Sequence, residues 1–193
     1  MISGKEYDCV SVFEFLDSYG RSAIDNIVKD FICKKNIEIQ KFLIENSYDF
    51  SVKYQAITYF ILSKETNNIE AYFTLSIKPI IIDSTTISKN TLKKLLRISE
   101  LDEENNSVNP SAYLIAQLGK KDGSSIDIDK IFGFINVTIE KIQKSCGGVV
   151  EFLESENEEK LVKIYQNKGF KTFNVRKSKS GEERKLVQMY RLI

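Results

Sequence analysis

Histidine is missing from this chain of 193 residues. That excludes Ser-His-Asp and Cys-His nucleophiles and imidazole-held zinc. Acid–base chemistry therefore falls to Glu, Asp, Tyr, Lys, Cys, a terminus or water. Such groups gather between Gly147 and Phe170, in GGVVEFLESENEEKLVKIYQNKGF. By spacing alone Tyr165 reads as an ordinary member of the apolar face that Leu161, Val162 and Ile164 give a helix. Glu154 and Glu156 read as candidate general bases, or as solvated charges at the end of a strand. Asn157 reads as a helix cap, with Glu158 and Glu159 in a first turn that favours acid. Cys146 reads as a reactive thiol beside the Gly-Gly pair, or as a small buried apolar residue; the second is the commoner use of a lone cysteine.

The elements that must position these groups follow from spacing. Val149, Val150, Phe152 and Leu153 predict a strand over about 148–154, and Gly169 supplies a left-handed stop for the helix after it. Ile24, Ile27, Val28 and Phe31 predict a helix over 21–31, and a second begins at Asn36 with Ile39, Phe42 and Leu43. AITYFIL (56–62) and IEAYFTLSI (69–77) predict a hairpin. A helix over 88–99 carries Lys89, Lys93, Lys94 and Arg97 on one face. DEENNSVNP (102–110) predicts a loop, AYLIAQL (112–118) a strand, and GKKDGSS a polar loop. Asp127 or Asp129 then caps a long helix to about Lys144. Phe170–Val175 and Leu186–Leu192 predict two strands joined by the basic stretch RKSKSGEERK. VSVFEFLDSYG, near the start, fits either a strand or a helix. The strand–helix–strand portion implies a right-handed parallel crossover, hence an α/β chain with a mixed sheet.

Composition bounds the function. Hydrophobic residues are 42% and charged residues 28%, the balance of a soluble globular protein. The net charge of +1 carries no whole-chain signature of nucleic-acid binding, although the two basic segments would suit a phosphate backbone. Cys9, Cys33 and Cys146 are odd in number and far apart, which points to a reduced, cytoplasmic setting and no thiolate metal site. No apolar run is long enough to cross a membrane, and MISGKEYDC lacks the apolar core of a signal peptide.

These pieces, in this order, resemble the GCN5-related N-acetyltransferase (GNAT) family, in its toxin-like branch. FICKKNIEIQKFL, AITYFIL and IEAYFTLSIK resemble the branch's helix and hairpin, with Ala71 where glycine is common. SAYLIAQLGK resembles the cofactor-bearing strand, LVQMYRL the closing strand, and Asn157 to Phe170 the second half of the acetyl-CoA site. The likeness covers roughly residues 31–193 of a single domain, with residues 1–30 as an N-terminal extension.

The resemblance implies a mostly antiparallel mixed sheet with flanking helices, whose two central parallel strands, 112–118 and 148–154, splay apart. The pantetheine arm of acetyl-CoA would then bond to bare main chain at Ile115, Ala116, Gln117 and Leu118. Tyr165 would protonate the departing CoA thiolate after direct attack by an amine, and Asn157 would bond the cofactor arm. The family's pyrophosphate loop, with its Gly-x-Gly, is absent. Gln117 is kept, but the chain continues LGKKDGSSIDIDKIF. Gly123, Ser124 and Ser125 remain as amide donors, with Lys120 and Lys121 as charge. The implied acceptor is a protein amine or a charged tRNA, and the branch admits an antitoxin protein or a second copy of the chain as partner. The competing expectation is a non-catalytic binding module on the same scaffold, since fold does not fix function.

Overall fold

The computed structural model describes residues 1–177 and 185–193. In chain order the strands are β1 (Ile2–Ser3), β2 (Tyr7–Ser11), β3 (Ile57–Ser63), β4 (Ile69–Pro79), β5 (Ile82–Asp83), β6 (Leu101–Asp102), β7 (Ser107–Val108), β8 (Ser111–Lys120), β9 (Val150–Glu156), β10 (Lys171–Lys177) and β11 (Lys185–Leu192). The helices are α1 (Val12–Tyr19), α2 (Arg21–Lys29), α3 (Ile37–Lys41), α4 (Ser47–Val52), α5 (Lys89–Leu95), α6 (Ile128–Cys146) and α7 (Glu159–Asn167). The large sheet runs β1-β2-β3-β4-β8-β9-β11-β10; β1–β2, β2–β3, β3–β4, β9–β11 and β11–β10 pair antiparallel and β8–β9 pair parallel, the mixed, mostly antiparallel α/β architecture expected from the sequence. Two compact units divide the chain: Met1–Ser76 with Ala116–Ser145, and Ile77–Ile115 with Cys146–Ile193.

In the first unit β2 runs straight into α1 at Ser11, so VSVFEFLDSYG is both strand and helix. Ser11 Oγ accepts the Glu14 amide at 3.1 Å, and Glu14 Oε2 accepts the Ser11 amide at 2.8 Å. This reciprocal cap satisfies two amides that a helix start leaves unpaired. Helix α2 buries Ile24 and Val28 and ends before Phe31, whose ring sits in the core against Tyr72. Asn36 caps α3 as its position predicts, with Oδ1 accepting the Ile39 amide at 3.2 Å. A π-helical turn, Phe42–Asn46, then leads into α4. The β3–β4 hairpin is in place from Ile57↔Leu75 to Leu62↔Ile69. Phe15, Ile24, Val28, Leu43, Phe60 and Tyr72 form the core of this unit, each worth about 2 kcal/mol of apolar burial.

In the second unit, residues 102–110 are not a plain loop. They hold β6 and β7, which pair with β5 in a small sheet of order β5-β7-β6. Strands of two residues are too short to show alternation, so nothing in the sequence marked them. Helix α5 is capped by Ser88 and is shorter than the predicted 88–99. Ile82, Leu95, Val108, Phe152 and Tyr190 are the core here. Strands β10 and β11 pair antiparallel out to Lys177↔Lys185. The middle of RKSKSGEERK, residues 178–184, lies outside the described residues.

Two boundaries need correction. Strand β9 begins at Val150 and runs on to Glu156, later than predicted. Strand β8 runs two residues past Leu118, taking in Gly119, which the polar loop had claimed. The reason is a close approach. A Cβ on Gly119 would lie 2.4 Å from the Tyr72 ring and 2.6 Å from Ile39. Only the bare backbone fits there, and it extends the strand.

Candidate active site

The residues expected from the sequence fall in both units, the end of β8 and the loop from β8 to α6 in the first and the β9–α7 segment in the second. In the second unit, β8 and β9 are parallel, with rungs at Tyr113↔Glu151, Leu114↔Phe152 and Ile115↔Leu153. Ile115 is buried, while Ala116, Gln117 and Leu118, in the first unit, are half-buried.

Helix α7 is built to hold Tyr165. Its N-cap is Glu158, not Asn157. The Glu158 backbone is extended, its carbonyl accepts the Val162 amide at 3.0 Å, and its amide donates to the Glu156 carbonyl at 2.8 Å. That last bond folds the chain at Asn157, which sits in the bend between strand and helix. The cap assignment was off by one residue because Asn is the stronger capping type.

The other end of α7 is pinned more firmly. The Phe170 amide donates to the Tyr165 carbonyl at 3.1 Å, and the Gly169 amide to the Gln166 carbonyl at 2.9 Å. This is a Schellman closure, and it needs Gly169 at its φ of 86°. Phe170 is buried, and the Tyr165 ring meets it edge-on at 6.4 Å. Burial pushes the Tyr165 phenol above its ordinary pKa, further into the protonated form that any phenol has at neutral pH.

Arg191 ties this end to the sheet. Its Nη1 donates to the Lys168 carbonyl at 2.8 Å, its Nε to Glu151 Oε2 at 2.5 Å, and its guanidinium lies 4.7 Å from the Phe170 ring centre. Glu151 is 1% exposed and stands opposite Arg191 across β9 and β11. A cation at the carbonyl end of a helix also complements its dipole. Sequence reasoning passed over this pair. The available signal was one charge of each sign in strands that are otherwise apolar, Glu151 in VVEFL and Arg191 in MYRLI.

The remaining candidates divide. Glu154 is neither a free base nor a solvated charge: both its oxygens take the Arg176 guanidinium, and Oε1 also accepts Gln188 Nε2 at 2.7 Å. Cys146 is exposed, not buried, with its sulfur 3.6 Å from the Tyr113 hydroxyl. It ends α6 just before the Gly147–Gly148 turn, too far out for the core. In the loop after β8, the Ser124 amide donates to the Lys121 carbonyl at 3.2 Å, and Ser125 Oγ lies 3.2 Å from the Tyr7 hydroxyl. Asp127 caps α6, its Oδ1 accepting the Lys130 amide at 2.7 Å.

No protein-family model matches the chain, and no curated protein matches its sequence. Its architecture, however, matches solved structures over nearly full length. A tyrosine-to-phenylalanine mutant of KacT aligns with a TM-score of 0.68 at 14% identity, over 97% of this chain and 95% of that one. AtaT complexed with acetyl-methionyl-tRNAfMet aligns at 0.64 and 14% identity, over 94% of each chain. A tyrosine-to-phenylalanine mutant of the AtaT toxin, bound to acetyl-CoA and the C-terminus of the antitoxin AtaR, aligns at 0.63 and 10% identity, over 97% and 94%. The chain has the GNAT fold. Among the described residues, no helix of this GNAT-fold chain is long and apolar enough to cross a membrane.

Proposed function

We propose that this chain is an N-acetyltransferase that moves acetyl from acetyl-CoA to a primary amine. Residues 1–193 would work as one catalytic domain, with residues 1–30 as an extension that supplies β1, β2, α1 and α2. The support is the GNAT fold joined to one local observation. Tyr165 stands on a short helix fixed at its C-terminal end by Gly169, Phe170 and Arg191, and its phenol is protonated at neutral pH, with burial raising its pKa further. A proton donor of that kind suits the collapse of a thioester.

The β8 main chain fits an amide-rich arm laid along it. Ile115, Ala116, Gln117 and Leu118 would hold the pantetheine, one of their amides polarising the thioester carbonyl. Asn157 would bond the same arm. The amine nitrogen attacks the carbonyl carbon, the carbon–sulfur bond breaks, and Tyr165 gives its proton to the leaving thiolate. The attacking nitrogen loses its own proton to water. Glu154, committed to Arg176, is set aside as the base. Gly123 and Ser125 would offer amides to the nucleotide end, with Ser124 shaping the turn between them.

The acceptor favoured by the neighbours is an aminoacyl group on tRNA. AtaT was captured with acetyl-methionyl-tRNAfMet, and AtaT with its antitoxin. An antitoxin-like protein is accordingly the proposed partner, and the cytoplasm the proposed setting. A protein amine is the second acceptor.

The deciding experiment incubates the purified chain with labelled acetyl-CoA and either charged tRNAs or amine-bearing peptides. Label should move to one of the two. Tyr165→Phe should lower kcat by about 100-fold while the rise in melting temperature with acetyl-CoA is unchanged. A chain that acetyl-CoA neither stabilises nor lets transfer would be a binding module on this scaffold.

A further inference from the structure

The nucleotide end of acetyl-CoA carries a pyrophosphate and a further phosphate, and the GNAT-fold solution of open helix-start amides is compromised here. Asp127 places a carboxylate at the first turn of α6, with its Oδ1 on the Lys130 amide at 2.7 Å and its carbonyl on the Ile131 amide at 3.2 Å. Negative charge at that point repels a phosphate that the helix dipole would otherwise attract. The Ser124 amide is already spent on Lys121.

The same loop is stitched to the segment that follows α2. The Asp122 amide donates to the Ile32 carbonyl at 2.8 Å, and the Lys34 amide donates to Asp122 Oδ2 at 3.0 Å. The Lys121 amide is fixed in turn on the Glu70 carbonyl at 2.9 Å. These bonds hold the main chain of Lys34 and Lys35 beside that of Lys120 and Lys121. Lys34, Lys35 and Lys120 are exposed and Lys121 is half-exposed. None of the four forms an ion pair among the described residues. The acid within the stitch, Asp122, already accepts the Lys34 amide. The Asp122 carboxylate still offsets one of the four ammonium groups, and the remainder, anchored on two tied loops, make a local positive field that an anion of several charges would neutralise.

We propose that Lys34, Lys35, Lys120 and Lys121 hold the phosphates of acetyl-CoA by ammonium charge, beside the Gly123 and Ser125 amides, where the sequence has no glycine-rich cradle. The proposal rests on the acetyl-CoA reading above. Ammonium groups on flexible stems bind as point charges and are screened by salt, so cofactor affinity should be unusually salt-sensitive.

The test is calorimetric titration of the full chain with CoA, and with pantetheine as a phosphate-free probe, at low and at moderate salt. Wild-type affinity for CoA should fall about tenfold between roughly 50 and 300 mM salt. The double variant Lys34→Ala/Lys121→Ala should bind CoA about tenfold more weakly at low salt and lose most of its salt response, with pantetheine unaffected. Lys34→Arg/Lys121→Arg should keep both affinity and salt response, and an unchanged melting temperature for each variant establishes that it folds. If wild type binds CoA and the alanine variant binds it equally well with the same salt response, the lysine assignment is wrong and the acetyl-CoA reading stands. An alanine variant that keeps CoA but loses a short RNA duplex also overturns the assignment, in favour of a nucleic acid at these lysines. If wild type binds neither CoA nor pantetheine, the acetyl-CoA reading itself falls and takes the lysines with it.

Discussion

Arg191 is the residue on which the placement of Tyr165 depends most. It spends one nitrogen on a buried carboxylate and another on the last turn of α7. Removing it would strand Glu151, which is 1% exposed, and an unpaired buried charge costs several kcal/mol. Arg191→Ala should therefore lower unfolding free energy by about 3 kcal/mol in urea titrations. Arg191→Lys tells more. It keeps one positive charge for Glu151 but loses the planar fork that reaches both partners. It should stay folded, bind acetyl-CoA normally, and lose kcat through a displaced Tyr165. A drop in stability with kcat unchanged would make the pair a strut of the sheet and no more.

At the scale of elements, much was legible and the misses share a cause. The β3–β4 hairpin, α2, the Asn36 cap and the Gly169 stop are local: residue type and spacing decide them within one turn or one strand. The stretch Ser11–Glu14 also carried a readable capping signal, Ser-x-x-Glu, that settles strand against helix there. The π-helical turn at Phe42–Asn46 has no residue signature, and β5, β6 and β7 are too short to alternate. Gly119 was misplaced because its reason for being glycine lies in Tyr72 and Ile39, far off in sequence. In the candidate site, Tyr165 and the β8 strand could be named from motif order. The Arg176 claim on Glu154 and the tie between Asp122 and Lys34 could not, since each joins residues that only the fold brings together. Two glycines give a paired test. Gly119→Ala forces a methyl into the Tyr72 ring and should cost about 2 kcal/mol. Gly169→Ala meets nothing within 4 Å and pays only for its φ of 86°, about 1 kcal/mol. Urea midpoints in that order support the close-approach account of β8; equal costs would refute it.

For the molecule as a whole, the lack of histidine and the abundance of buried phenols set the pH profile. No side chain of ordinary pKa changes charge between about pH 5 and 8 in a chain with no histidine, so stability should be level there. The alkaline side differs. Burial pushes the Cys9 thiol up to about 12, and the Tyr59 and Tyr113 phenols to about 12. Tyr72, Tyr165 and Tyr190 are raised for the same reason. Each of these groups is neutral when protonated, and the folded state favours that form. The unfolded chain releases the same protons near the ordinary values of 9.0 for the thiol and 10.0 for the phenols. Their contribution is therefore complete below about pH 9 and is lost as pH rises towards 12. Both units carry such groups, so both should weaken over the same window. Urea midpoints should hold level from neutral to mildly alkaline pH and then fall steeply, with tyrosinate absorbance rising together with the loss of structure. Phenols that all titrate near 10.0 while the circular dichroism stays native would mean that they are not buried as described, and Tyr165 would then lack the dry setting given to it here.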